Sequence, residues 1–148
     1  MDNLTKWDKK FISLVAEVAS WSKDTNRQVG CVIVNDDKDV LTQGYNGFPR
    51  GSDDDKDPRR YEKPAKYMWT EHAERNAIYN AARSGTILKG GTLYCSFFPC
   101  VDCCRATIQV GIKKVYAPKP DLNHKTWGDG WIEGIIMLKE CGVEIIWI

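Results

Sequence analysis

Residues Gly91 to Cys104 read GTLYCSFFPCVDCC. The first half, Gly91 to Phe97, is built of β-forming residues and predicts a strand. The second half turns at Pro99, a residue favoured at helix starts, and Val101 to Val110 continues as a short helix stopped by Gly111. A strand running straight into a helix is the building block of an α/β fold. It also leaves three cysteines, Cys100, Cys103 and Cys104, at the start of one helix.

The same pattern extends outward. From Leu4 to Trp21, Trp7, Phe11, Leu14, Val15 and Val18 recur at helical spacing, and Thr5 with Asp8 forms a capping-box-like start. Gln28 to Asn35 is a β-branched run, Asn35 to Lys38 supplies turn residues, and Val40 to Tyr45 returns as the second arm of a hairpin. Asn46 to Lys66, rich in Gly, Pro and charge, reads as a long functional loop or insertion rather than a linker between domains. Ala73, Ala77, Ile78 and Ala81 define a helix stopped at Gly85. Lys114 to Ala117 is a strand, Trp131 to Cys141 a last helix, and Val143 to Ile148 a closing strand. The order α-β-β-α-β-α-β-α-β predicts a three-layer α/β/α sandwich around a mixed five-stranded sheet. Its hairpin is expected to be antiparallel, and strands separated by helices are expected to be parallel neighbours.

A length of 148 residues is that of one domain, expected here to occupy residues 1–148. Hydrophobic residues make up 43% and charged residues 28%, which excludes a disordered or membrane-embedded chain. The N-terminal residues hold no signal-peptide block, and nowhere do eighteen apolar residues run together, so an intracellular, cytoplasmic protein is expected, in the host cytoplasm if the source is viral. In a reducing compartment six cysteines point to burial or metal rather than disulfides. A net charge of +1 gives no global pull toward a polynucleotide, which favours a small substrate.

Two helices begin with reactive groups. His72, Ala73 and Glu74 open one, and Pro99, Cys100, Val101, Asp102 and Cys103 open the other. Cysteines three apart share a helical face, and a helix N-terminus favours the thiolate that binds metal. One imidazole and two thiolates make three good zinc ligands, while a structural site needs a fourth. The other histidine, His124, lies in a loop, and Cys104 points about a quarter turn away from the shared face. Glu74, two residues past the metal histidine, is suited to proton transfer rather than ligation.

The pattern H-x-E with P-C-x-x-C is the zinc deaminase signature, carried here by His72, Glu74, Pro99, Cys100 and Cys103. With KDTNRQVGCVIV at Lys23 to Val34, GYNGFPRG at Gly44 to Gly51 and a charged insertion before His72, the chain resembles the deoxycytidylate deaminases of the cytidine deaminase superfamily, including phage and viral members. The resemblance implies hydrolysis of dCMP to dUMP and ammonia, supplying dTMP synthesis, with one zinc per chain and Glu74 as the proton carrier. It implies that Asn46 holds the sugar. It also implies a homohexamer activated by dCTP with magnesium and inhibited by dTTP, the effector meeting Gly47, Phe48 and Arg50. Asn46 to Glu71 holds no Cys or His, so the second zinc of some phage members is not expected.

Other readings stay open at this stage. The enzyme alternatives are cytidine deamination and deamination of adenosine in tRNA. Outside enzymes, a zinc- or nucleotide-binding module would take its fourth ligand from His124 or Cys104. Asn46 is also good turn chemistry, and Arg27 is either a phosphate ligand or a solvated charge. Glu71 either touches substrate or caps a helix, and Tyr116 either lines the pocket or packs in the sheet. Cys31, Cys95 and Cys141 are expected in the core, as are Trp7, Trp21 and Trp147. Trp127 and Trp131, carried by a Gly-rich stretch, are the pocket or interface candidates. Ser52 to Asp55 is either a divalent-ion site or a solvated acidic loop.

Overall fold

The computed structural model describes residues 3–53 and 57–148; Asp54 and Asp55 of the acidic run lie outside them. Helix α1 (Lys6–Ala19) leads into strands β1 (Gly30–Val34) and β2 (Val40–Tyr45). A short 3-10 turn (Pro58–Tyr61) and helix α2 (Lys66–Trp69) precede helix α3 (Ala73–Ser84). Strand β3 (Thr92–Cys95), helix α4 (Val101–Gln109), strand β4 (Lys114–Ala117), helix α5 (Gly128–Glu140) and strand β5 (Glu144–Trp147) complete the chain. The segment from Asn46 to Lys66 is therefore not all loop: its 3-10 turn and the helix begun at Lys66 are too short for any periodicity to announce them.

The five strands form one mixed sheet in the order β2-β1-β3-β4-β5. β1 is antiparallel to both β2 and β3, whereas β3 to β4 and β4 to β5 are parallel. This corrects one expectation. β2 and β3 are joined through α3, yet β1 lies between them, because the crossover passes over the strand that the hairpin has already laid down.

Strand alternation sorts the core into two sides. Cys31, Ile33, Leu93, Cys95, Val115 and Ala117 face α3, α4 and α5, while Val32, Val34, Tyr94 and Tyr116 face α1 through Phe11, Val15 and Val18. The result is the expected three-layer sandwich, with α1 alone on one face. α1 is fastened at its start by the capping box, in which Asp8 N–H donates to Thr5 Oγ1 at 3.1 Å and Thr5 N–H donates to Asp8 Oδ2 at 2.7 Å. Tyr94 then donates its hydroxyl to Asp8 Oδ1 at 2.6 Å, tying the cap to the sheet.

Close approach of α3 to the sheet depends on Gly44. A Cβ there would lie 2.3 Å from the backbone nitrogen of Ala77 and 2.4 Å from the carbonyl of Ala73. Glycine lets the first two turns of α3 lie directly on β2, which sets the height of the helix start above the sheet.

Cys31 and Cys95 are fully buried cross-strand partners, as expected. Cys141 is not: it follows the last residue of α5, where the chain swings toward β5, and it is exposed. The tryptophans also depart from expectation, since Trp7, Trp21 and Trp147 are each 38–45% exposed. Trp7 stacks on Phe11, Trp21 lies past the end of α1 edge-on to Tyr45, and Trp147 sits on the edge strand against Phe98. Each is only partly buried, as a ring of this size is at the rim of a core.

Candidate active site

The site forms where β3 and β4 end and β1 begins. β3 runs into Phe97 and Phe98, then Pro99 and Cys100, and Cys100 is the N-cap of α4. His72 is the N-cap of α3, with extended backbone at ψ 153°. Neither cap uses its side chain on its own helix, so the imidazole and the thiol remain available across the gap between the two helices. His72 Nδ1 lies 3.4 Å from Cys100 Sγ and 3.5 Å from Cys103 Sγ. Tetrahedral zinc at ordinary bond lengths separates a nitrogen and a sulfur ligand by about 3.6 Å. The three donors thus fit zinc with little adjustment, and among the described residues they form the cluster of metal-ligating side chains whose donor atoms lie within 4.8 Å of one another.

The two thiols behave as a pair. Cys100 is driven down to about 4, first by the S–H of Cys103 and also by His72. Cys103 moves the other way, because Cys100 holds its proton and burial opposes a second thiolate. His72 is raised, chiefly through its bond to Cys100. Glu74 is 4% exposed, and burial raises its carboxyl above the usual range. A carboxyl poised upward beside a metal trio suits a group that must both accept and release a proton.

The cleft above this floor encloses about 800 Å³. His72, Glu74 and Cys100 line it together with Asn46 and Arg27, so five of the residues singled out from sequence converge here. Asn46 is 7% exposed, accepts from Val29 N–H at 2.8 Å and donates to the carbonyl of Arg27 at 2.9 Å. One N–H and one lone pair of its carboxamide are not spent on these contacts. Arg27 lays its guanidinium over the ring of Phe97, 4.1 Å from the centroid. Trp127 and Trp131 also line the cleft: Trp131 is buried edge-on to Phe97, and Trp127 meets Tyr67 with ring centroids 6.5 Å apart.

Two of the expected substrate residues fall elsewhere. Tyr116 stacks on Tyr94 at 4.4 Å on the α1 face of the sheet, away from the cleft. Its neighbours Val115 and Ala117 face the other helices, and alternation turns Tyr116 from them. Glu71 accepts from His72 N–H at 3.0 Å and from Arg75 Nε at 2.7 Å, which is the helix-start role, and it does not line the cleft. The alternative fourth zinc ligands are also occupied otherwise. His124 Nδ1 accepts from the backbone N–H groups of Thr126 and Trp127 at 3.1 Å, and Cys104 donates to the Pro99 carbonyl and packs against Gly134 of α5.

Gly47, Phe48 and Arg50 lie outside the cleft. Gly47 and Glu71 exchange backbone hydrogen bonds of 3.1 and 2.8 Å, so the loop after Asn46 is joined directly to the residue before the metal histidine. Phe48 stacks on Tyr61 at 4.3 Å, and Arg50 donates to Asn80 Oδ1 at 2.6 Å beside an open groove of about 550 Å³ that Arg83 also borders. Sequence reasoning missed Asp24, Lys66, Thr70 and Lys119, all of which line the cleft. They come from loops and a one-turn helix, where no spacing rule marks which side chain turns inward.

Residues 5–119 match the family described as the cytidine and deoxycytidylate deaminase zinc-binding region, and the chain belongs to that family. It is 38% identical over 146 residues to a deaminase of the luxG 3′ region of Aliivibrio fischeri, covering 98% of this chain and 95% of that one. It is 40% identical over 118 residues to human deoxycytidylate deaminase, covering 77% of this chain and 65% of the human one. Against that relative the chain thus spans somewhat less than two thirds of the length. Among solved structures, the dCMP deaminase of cyanophage S-TIM5, crystallised in complex with dCMP and dUMP, superposes with a TM-score of 0.75 at 26% identity, covering 99% of this chain and 100% of that one.

Proposed function

We propose that the chain is a zinc-dependent hydrolase that converts dCMP to dUMP and ammonia. The observation that carries this reading is the buried Glu74 beside the His72, Cys100 and Cys103 trio, at the floor of a cleft that Arg27 and Asn46 also line. The family membership and the likeness to the phage enzyme crystallised with dCMP and dUMP support it.

His72, Cys100 and Cys103 would hold one zinc per chain, whose Lewis acidity makes water acidic enough to attack near neutral pH. Glu74 takes a proton from the attacking water and passes it to ring N3 as the oxygen adds to C4. It then carries the second water proton to the amine, which leaves as ammonia while the C4 carbonyl forms. Burial raises the Glu74 carboxyl above the usual carboxylate range, which favours its holding the proton between the two transfers. Asn46 offers its remaining hydrogen-bonding capacity to the sugar, and Arg27, steadied on Phe97, faces the phosphate.

Rates measured side by side on dCMP, deoxycytidine and tRNA adenosine test the assignment. Turnover of dCMP well above the other two is expected, and activity confined to either of them refutes the nucleotide reading.

The regulatory part of the reading places a triphosphate, dCTP with magnesium as activator or dTTP as inhibitor, at Gly47, Phe48 and Arg50. The Gly47 to Glu71 backbone bridge supports it, since it links that loop to the metal histidine in one step. Saturation curves that respond oppositely to the two triphosphates are expected, and hyperbolic curves insensitive to both remove the regulation and leave the deaminase standing. A homohexamer in the cytoplasm, acting on free nucleotide rather than polynucleotide, completes the proposal; light scattering of the purified protein checks the assembly. No helix among the described residues is long and apolar enough to cross a membrane.

A further inference from the structure

One wall of the cleft is organised by a single buried carboxylate. The side chain of Asp24 is 2% exposed. Its Oδ1 accepts the backbone N–H groups of Asn26 at 2.8 Å and Arg27 at 3.2 Å, and its Oδ2 lies 3.0 Å from Lys66 Nζ. Arg27 precedes β1 and Lys66 opens α2, so Asp24 joins two segments distant in sequence, and all three residues line the cleft. Ser22 secures the same wall from behind, donating to the carbonyl of Asn46 at 2.8 Å and accepting from Asp24 N–H at 3.2 Å. One turn past Lys66, Thr70 also lines the cleft, and its hydroxyl is buried without a hydrogen-bond partner.

We propose that Lys66 reads the 5′-phosphate of the substrate, and that Asp24 is the positioning residue that sets its ammonium beside Arg27. The inference rests on the deoxycytidylate reading of the site. Lys63 and Lys119 border the cleft too, but Lys66 is 12% exposed and tethered, so little of its side-chain freedom remains to be lost on binding. Asp24 does not repel the phosphate, because its charge is taken up by two N–H groups and by Lys66, all on the protein side. A phosphomonoester carries about two negative charges near neutrality; with Lys66 paired to Asp24, the net positive charge of this wall is that of Arg27, and Lys66 adds N–H donors rather than a second net charge. A nucleoside offers this wall nothing to bind, and that asymmetry would separate dCMP from deoxycytidine.

The test is Lys66→Met, read by kinetics on dCMP and by competitive inhibition with dUMP and with deoxyuridine. Hydrogen bonds to charged groups set the scale of the loss. KM for dCMP should rise about 10- to 100-fold with kcat within about threefold, and dUMP should weaken in parallel, while deoxyuridine changes by less than about twofold. Asp24→Asn keeps an acceptor for the two N–H groups but loses the charge that holds Lys66, so it should raise KM by a smaller factor, about 3- to 10-fold, again without lowering kcat. Because Lys66→Met leaves a buried carboxylate unpaired, the Asp24→Asn/Lys66→Met double variant is measured beside it; with both charges removed it should fold, hold zinc and show the same selective loss of dUMP. Equal weakening of dUMP and deoxyuridine, or weakening of neither, overturns the role of Lys66 and leaves the deaminase assignment intact. A wild-type protein that shows no preference for nucleotide over nucleoside overturns the deoxycytidylate reading itself.

Discussion

Replacing Gly44 with alanine is the sharpest test of how the fold builds the site. The added Cβ would stand 2.3 Å from Ala77 N and 2.4 Å from Ala73 O, about 1.1 Å inside the 3.4 Å where ordinary contact begins. Both atoms belong to the backbone of α3, so no rotamer change relieves the clash and the helix must lift from β2. Overpacking of this kind costs about 1 to 3 kcal/mol, and a rigid obstacle puts Gly44→Ala near the upper end. The lift acts on His72, the N-cap of the same helix, whose Nδ1 must stay within 3.4 to 3.5 Å of the two thiols on α4. A displacement of about 1 Å at a reacting geometry costs about a hundredfold in rate. We expect urea unfolding of the zinc-stripped variant to show a loss of about 2 to 3 kcal/mol, together with weaker zinc retention and the corresponding fall in turnover. Stability within about 0.5 kcal/mol of the parent, with unchanged zinc content, would refute the idea that this glycine sets the height of α3.

Three other outcomes are expected. Glu74→Gln should retain zinc while turnover falls about a hundredfold or more, and loss of zinc in that variant would show that the glutamate is a ligand. Cys100→Ala and Cys103→Ala should each lose zinc and activity together, measured by metal analysis beside the dCMP assay, and a fully active zinc-free protein would disprove the metal role. Asp8 is pushed up by burial but held below the usual carboxyl value overall by Tyr94 and Thr5. Its contribution is therefore present above its unfolded value of about 3.9 and is lost as pH falls through its lower folded value. Asp8→Asn should cost about 1.5 to 3 kcal/mol at pH 7 and flatten the acid limb of the stability profile, whereas an acid limb identical to the parent's would exclude that linkage.

The parts of this molecule that follow a period were legible from sequence. Thr5 and Asp8 marked the start of α1, and the pair His72 and Glu74 with Cys100 and Cys103 marked two helix starts that do meet. Residue types in an apolar strand were less informative than their parity. Tyr116 was attractive as a pocket residue by chemistry, yet Val115 and Ala117 on either side already assigned it to the opposite face. The cleft wall was not legible, because Asp24 and Lys66 are brought together by tertiary contact between a loop and a one-turn helix. The position of β1 between β2 and β3 escaped for a related reason: connection type dictates relative direction, whereas adjacency depends on which edge of the hairpin the returning chain takes.

That interposed strand has a consequence for the order of assembly. His72 rides on a helix seated on β2, Cys100 follows directly from β3, and β1, buried along its whole length, is the spacer between them. Neighbouring strands stand about 4.8 Å apart, so the span between the two helix starts is defined only after both ladders of β1 have closed. Full coordination of a metal by all three ligands therefore requires β1 to be paired on both edges, and loss of either ladder separates His72 from the two thiols.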